Sequence, residues 1–498
     1  MVRPNVVYFL SDDHSRGAVG LYADRLKDVM ETPNIDNLGK EGIYFKECAA
    51  ENSICSPGRA AAYSGQFTNR HGVFMLGKAM SDPQNSWPKI LDDSGYDTAV
   101  IGKWHLDNQP ETVFPGFSAI TGVTGKANSQ GEWFDPHMRV HMRGRETTSV
   151  SHPGGFSSDV YTDMMLDWLE TKRDPSKPFA ISLNYKQMHS SMEYPDRYLN
   201  YKSDLRDFHD PESLLDKVTG CGKTACESGS FITGRLFEHL FLEGGAYKKD
   251  YIDKDKRTGP VPRDNNENDL QQRYERYALK MIRSVKAMDD GVGRIVKYLE
   301  ENGMMENTII VYTTDQGYFL GEHGLHGKRT VLDPTMMIPL IFNHKGKIPR
   351  GLVSNSMVQN VDEGPTILDM CGVSIPDTMQ GKSMKSICYG GEDKWHTDTQ
   401  FFGYYQGDPY QCGLRGRRYT YCRVNKKGTY QIDFYDRQND PEQRKNEHRN
   451  PEYADAIQDM SNQLDAKLLE LGYNDSNLPG GSGWQRSSRA FTVQQLDE

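Results

Sequence analysis

The segment Ser53-Ile54-Cys55-Ser56-Pro57-Gly58-Arg59-Ala60-Ala61-Ala62-Tyr63-Ser64-Gly65 places a thiol, a Pro-Gly turn and an arginine ahead of a run of small residues. Such a run reads as a helix, and the positive bias of a helix N-terminus favours nucleophilic chemistry at a thiol placed there. The same residues also describe an ordinary buried cysteine beside a turn. Two other groups have the donor types for a hard cation. Asp12 and Asp13 follow the apolar run Val6 to Leu10, and Asp315 and Gln316 follow Thr308 to Tyr312. Oxygen ligands at two strand ends suit one shared divalent ion, although paired acids there also make turns and helix caps. Lys103 and His105 come just after Thr98 to Ile101, where the spacing serves either a site or a simple strand end.

These side chains need a scaffold, and the apolar runs supply one. Val6 to Leu10, Thr98 to Ile101, Phe179 to Leu183 and Thr308 to Tyr312 are short and nearly continuous, as in strands buried on both faces of a mostly parallel sheet. Between Asn268 and Asn302, Tyr274, Tyr277, Ala278, Met281, Val285, Met288, Val292, Ile295 and Leu299 recur at helical spacing, with Gly303 as the stop. Alternating strand and helix predicts an α/β sandwich over residues 1–375, with ligands bound beyond the carboxyl ends of the strands. The polar stretch of about 197–267 reads as an insertion. Beyond it, Thr399 to Tyr405, Arg418 to Arg423 and Tyr430 to Tyr435 read as short strands, and Ala454 to Leu471 as a helix. The expected ending is therefore a small α+β unit, 376–473, with an antiparallel sheet and a packed helix, then an irregular tail, 474–498.

Composition removes several function classes. Lys+Arg number 59 against Asp+Glu 69, a formal net charge of -10, which opposes non-specific binding to nucleic acid or to an anionic membrane. An anionic substrate must then be captured by a local basic pocket. No apolar run approaches the roughly 18 residues of a membrane-spanning helix. The N-terminus shows no signal-peptide pattern, which fits a cytosolic protein or one whose leader is missing from this sequence. Eight cysteines are too few for a disulfide scaffold; Cys221 with Cys226 and Cys412 with Cys422 are the pairs that could bridge, and free thiols fit equally.

Cys55-x-Pro57-x-Arg59 with its small-residue run and Gly65 resembles the signature of type I sulfatases, whose cysteine is oxidised to Cα-formylglycine. Companion segments occur in the family's order: Asp12-Asp13, the Cys55 segment, Gly102-Lys103-Trp104-His105, His189, Asp315-Gln316-Gly317, and Gly321-Glu322-His323-Gly324 leading to Lys328. The ending Tyr435-Asp436-x-x-Asn439-Asp440-Pro441-Glu442 is similar as well, so the likeness covers about residues 4–472. It departs at His189, where the family's Pro-His-x-Pro pattern is replaced by Gln187-Met188-His189-Ser190.

The resemblance implies an alkaline-phosphatase-like fold and hydrolysis of sulfate monoesters of a carbohydrate. A hydrated aldehyde at Cys55 would attack sulfur, and its second hydroxyl would then expel inorganic sulfate. Asp12, Asp13, Asp315 and Gln316 would hold one Ca²⁺. Arg59 would support the nucleophile, His105 would take a proton as the hemiacetal collapses, and Lys103, His189 and Lys328 would bind sulfate oxygens. Either His189 or Lys328 would protonate the leaving oxygen. His323, Arg415 and Arg418 are candidate substrate contacts. The partners implied are a sulfated saccharide and a maturation enzyme for Cys55, and the location implied is periplasmic or secreted with the leader removed. The alternative is a phosphonate monoester or phosphodiester hydrolase using the same formylglycine. A two-metal phosphatase would need a Ser or Thr nucleophile, and a non-catalytic glycan binder would not need Cys55, Arg59, Lys103, His105 and Lys328 together.

Overall fold

The run Asn5–Ser11 is wholly apolar through its middle because the strand it forms is covered on both faces. In the computed structural model, which describes residues 3–121, 131–189, 191–202, 234–235, 267–406, 410–426 and 429–473, it lies inside a ten-stranded sheet. Across that sheet the strands run Leu352–Ser354, Ile43–Phe45, Ile341–His344, Thr308–Thr314, Asn5–Ser11, Phe179–Asn184, Asp97–Lys103, Phe117–Thr121, His137–Met142 and Thr148–Ser151. The five strands from Thr308–Thr314 to Phe117–Thr121 are mutually parallel, and antiparallel pairing enters on either side. Their carboxyl ends therefore open on one edge, and that edge receives Asp12, Lys103, the segment after Asn184, and Asp315.

Alternating side chains of these strands feed two cores. Val6, Tyr8, Leu10, Val100, Ala180, Ile309 and Val311 pack with Ala60 and Tyr63 of the helix Cys55–Ser64 and with Ile367 and Leu368 of the helix Glu363–Met370. Val7, Phe9, Ile101, Ile181, Leu183, Ile310 and Tyr312 meet the long helix Glu267–Glu301 through Met288, Val292, Ile295 and Leu299, and the helix Ser157–Asp167 through Val160, Tyr161 and Met165. Each large apolar side chain buried this way contributes about 1.5–3 kcal/mol, which holds the strand ends in fixed relation. The 35-residue helix matches the sequence periodicity.

The C-terminal region forms a four-stranded antiparallel sheet, Thr399–Tyr404, Tyr410–Gly416, Tyr419–Lys426 and Thr429–Asp436, with the helix Ala454–Leu471 placing Met460, Leu464 and Leu468 in a shared core with Phe401, Leu414 and Phe434. Three strands were expected and four are present. Tyr410–Gly416 carries two glycines and little alternation, and a Cβ at Gly413 would stand 2.1 Å from the Tyr421 carbonyl and 2.6 Å from the Phe402 ring. The glycine that obscures the strand pattern is what lets the neighbouring strand and that ring approach.

Cys412 and Cys422 are both buried free thiols. Cys221 and Cys226, most of the expected insertion and the tail 474–498 lie outside the described residues. Among the described residues no helix is long and apolar enough to cross a membrane.

Candidate active site

Cys55 is the first residue of its helix, and the helix ends at Gly65, where φ of 62° lets the backbone N–H close on the Ala61 carbonyl at 2.9 Å. The helix start is pressed against the end of the strand Thr308–Thr314. A Cβ at Gly58 would lie 2.2 Å from the Asp315 carbonyl oxygen, so only glycine permits the approach. Arg59, one residue on, is completely buried and binds both neighbouring strand ends. Its Nε donates to Asp315 Oδ2 at 2.9 Å and its Nη1 to the Lys103 carbonyl at 2.9 Å, with Nη2 3.4 Å from Asp12 Oδ1.

Around the Cys55 thiol stand Lys328 Nζ at 2.7 Å, Asp13 Oδ1 at 3.7 Å, Gln316 Nε2 at 3.8 Å and Lys103 Nζ at 3.9 Å. Lys103 is paired to Asp12, and Lys328 and the Gln316 amide are both bonded to Asp13. Asp315 Oδ1 accepts from the backbone N–H of Asp13 at 3.1 Å and of Gln316 at 3.0 Å. His189 Nε2 is 4.0 Å from Asp13 Oδ2. The carbonyl of His105 accepts from Ser56 Oγ at 2.6 Å, which fastens the His105 turn to the nucleophile helix. The structure thus gathers Asp12, Asp13, Cys55, Arg59, Lys103, His189, Asp315, Gln316 and Lys328 at one place, with His105 tied to it. Asp13, His105, His323 and Arg329 all take positive φ, between 56° and 80°, so backbone strain is concentrated at and beside this place.

The charges explain the titration behaviour. Burial pushes the Cys55 thiol up to about 12 although Lys103 and Lys328 pull it down, so an unmodified thiol here is protonated at neutral pH and a poor nucleophile. Burial would also raise Asp12, but Lys103, His189, Arg59 and Lys328 outweigh it and hold Asp12 well below the carboxylate range. Asp13 is raised by burial and by Asp12, and Asp315 reaches about 8 for the same reasons despite Arg59. Desolvation, followed by the Lys103 charge, depresses His105 and His189 and keeps both imidazoles neutral.

Three carboxylates packed together with two of them pushed up describe a site suited to a further cation. Asp12 Oδ1, Asp13 Oδ2 and Gln316 Oε1 are buried without a hydrogen-bond partner, and Asp12, Asp13 and Cys55 bring ligand atoms within 4.8 Å of one another. An all-oxygen set of this kind fits Ca²⁺ or Mg²⁺ better than a transition metal.

The remaining candidates sit elsewhere. His323 is buried with its ring edge-on to Phe319. Arg415 lies inside the strand Tyr410–Gly416. Its guanidinium binds Asp333 through Nε at 2.9 Å and Nη2 at 2.8 Å, and Glu47 through Nη1 at 2.7 Å. Arg418 forks onto Asp436 at 3.1 and 2.7 Å. Both arginines are engaged in tying the small sheet to itself and to the large domain. Arg415→Ala should therefore cost about 2 kcal/mol, because Asp333, 19% exposed, loses its two-pronged partner and keeps only Arg437 at 3.3 Å. Denaturant unfolding would read this as a lower midpoint, whereas a KM change with unaltered stability would restore Arg415 as a substrate contact.

Two supporting residues escaped sequence reading. Asn184 Nδ2 donates to the Lys103 carbonyl at 2.9 Å, and Tyr63 donates to Asn184 Oδ1 at 3.0 Å. The signal was available in a lone amide closing the apolar run Phe179–Asn184.

The comparisons with known proteins place the whole chain. The sulfatase family model matches residues 4–373, and the model of the N-sulphoglucosamine sulphohydrolase C-terminal region matches 321–470. An N-acetylglucosamine-6-O-sulfatase from Bacteroides thetaiotaomicron is 30% identical over 505 residues, covering 95% of this chain and 88% of the relative. A protein solved in complex with its substrate D-glucosamine-2-N,6-O-disulfate superposes with a TM-score of 0.83 at 27% identity, over 95% of this chain and 99% of the other. A phosphonate monoester hydrolase from Silicibacter pomeroyi shares the fold, with a TM-score of 0.70 at 18% identity over 96% of each chain. With its alkaline-phosphatase-like sheet, its ordered motifs and this match across most of its length, the chain belongs to the sulfatase family and is a sulfuric ester hydrolase.

Proposed function

We propose that the protein removes a sulfate ester from an amino sugar, with glucosamine 6-sulfate and its derivatives as the substrate class. The observation that carries this is the 30% identity to an N-acetylglucosamine-6-O-sulfatase over 95% of the chain. The catalytic unit is 1–375 and the small unit 376–473 closes one side of it.

Cys55, once converted by a maturation enzyme to formylglycine, supplies the oxygen nucleophile. Asp12, Asp13, Asp315 and Gln316 would hold Ca²⁺, which supplies positive charge to the nucleophilic oxygen and to the sulfate oxygens. The fixed cations Arg59, Lys103 and Lys328 balance the three carboxylates, so a bound dication leaves net positive charge for the sulfate. Lys103 and Lys328, on either side of Cys55, orient the sulfate oxygens. Arg59 is held by three partners and cannot swing, so it fixes the helix start against both strand ends. His105, kept neutral, accepts the proton released when the sulfo-enzyme breaks down. His189 is 17% exposed at its side chain where Lys328 is 2%, so it is the more solvent-accessible of the two and is assigned to protonate the leaving oxygen.

The test pairs two measurements on one active preparation: the mass of the peptide containing Cys55, and sulfate release from a panel of sulfated sugars. A loss of about 18 Da relative to cysteine, with release from 6-sulfated glucosamine, is the expected result. Faster turnover of a phosphonate monoester or phosphodiester than of any sulfate would transfer the assignment to the diesterase alternative.

A further inference from the structure

The next residue after Lys328 has a role that the chemistry above leaves unused. Arg329 is 8% exposed, and among the described residues no carboxylate lies within ion-pair distance of it. Its Nε is buried without a hydrogen-bond partner. Other buried arginines of this chain are provided for: Arg59 has Asp315, Arg415 has Asp333 and Glu47, and Arg423 has Asp465. Arg283 also lacks a carboxylate, but it donates to the Tyr201 carbonyl and the Tyr194 hydroxyl. A buried guanidinium without an anion is expensive, so an anionic ligand would be strongly favoured beside it.

The backbone explains where this charge is held. Arg329 adopts φ of 80°, a conformation an arginine takes only when its surroundings enforce it. Its N–H donates to the Ser53 carbonyl at 3.2 Å, two residues before Cys55, and its own carbonyl accepts from Gln411 Nε2 at 3.2 Å. The residue is thus clamped between the nucleophile loop and the small sheet, while its predecessor reaches the Cys55 thiol. Gln411 is the cross-strand partner of Tyr404, so both side chains project from the same face of the hairpin. Tyr404 is 2% exposed and its hydroxyl faces the Arg329 guanidinium, while Gln411 Oε1 and Ser53 Oγ are buried without a hydrogen-bond partner. Burial pushes the Tyr404 hydroxyl up while Arg329 and Lys328 both pull it down, as befits a phenol standing beside the two cations.

We propose that Arg329 and Tyr404 form a second anion subsite beside the scissile sulfate, which takes another anionic substituent of the same saccharide. The inference rests on the amino-sugar sulfate reading and deepens it. The second anion is a planar or tetrahedral oxyanion, and two sources carry it: an N-sulfate on the reacting glucosamine, or the carboxylate of an adjoining uronic acid.

The test uses matured enzyme and three substrates: glucosamine 6-sulfate, glucosamine 2-N,6-O-disulfate, and a disaccharide of uronic acid with glucosamine 6-sulfate. The reading is the ratio of kcat/KM for each doubly charged substrate to that for the singly charged one. A charged hydrogen-bonded contact corresponds to about 10- to 100-fold. Arg329→Gln should lower the ratio by about that factor for one of the two sources, which names it, and Arg329→Lys should keep part of it. Tyr404→Phe should lower the same ratio about threefold, and it decides the matter if Arg329→Gln does not fold. Ratios unchanged within twofold in these variants, or a wild-type enzyme indifferent to the second anion, overturn the subsite. Turnover of an aryl sulfate without release from any of the three sugars would instead remove the substrate reading. The sugars' inhibition constants against the aryl sulfate would then supply the same ratios, so the two failures stay apart.

Discussion

Cys55→Ser should lower kcat for sulfate release by about 10⁴-fold or more, with the folded protein essentially unchanged. The substituted side chain is nearly isosteric, sits at the same helix start and still accepts from Lys328 Nζ, now 2.7 Å from the sulfur. Stability should move by less than about 1 kcal/mol. What disappears is the capacity to form an aldehyde, and with it the second hydroxyl that releases sulfate without attack at sulfur. A stoichiometric burst of the alcohol product followed by silence would be the kinetic mark of a trapped sulfo-serine. A variant retaining a tenth of the activity would remove formylglycine from the mechanism.

Chelation has the second largest expected effect, about 10³-fold in kcat, with restoration by Ca²⁺. Its pH dependence follows from the carboxylates. Burial and Asp12 raise Asp315 to about 8 and raise Asp13 as well, so in the ion-free fold these groups hold protons that the unfolded chain has already released. Stability of the ion-free protein therefore falls as pH rises from about 4, the ordinary Asp value, toward 8. An incoming dication displaces those protons, and its affinity should climb by up to about tenfold per pH unit between pH 6 and 8. Thermal unfolding with and without Ca²⁺ reads both effects, and the gain in Tm from Ca²⁺ should widen over the same interval. A Tm indifferent to Ca²⁺ at every pH, with activity surviving chelation, would refute the ion site.

Much of this was legible because the chemistry stands at the ends of continuous apolar runs. Val6 to Leu10 and Thr308 to Tyr312 had to be buried strands, so Asp12, Asp13 and Asp315 had to emerge together at their carboxyl ends. The last two strands of the large sheet, His137–Met142 and Thr148–Ser151, were not legible. They are partly or wholly exposed, and their side chains carry no burial pattern to betray them. Arg415 and Arg418 looked available for a saccharide because sequence does not show which carboxylates the small sheet brings to them. Arg329 carries no signal of its own in the sequence, and only the hairpin packed over it makes its charge a buried one.

The depth of Cys55 also fixes an order of events in the life of the chain. Its side chain is 1% exposed, wedged between Lys328 and a helix whose glycine touches the Asp315 backbone. No enzyme can admit that sulfur to its own catalytic centre while the sheet is closed. The conversion of Cys55 proposed above would therefore have to be finished before the chain collapses. A molecule that folds first is locked as an inert thiol, and a preparation's specific activity then records how folding competed with modification in the host that made it.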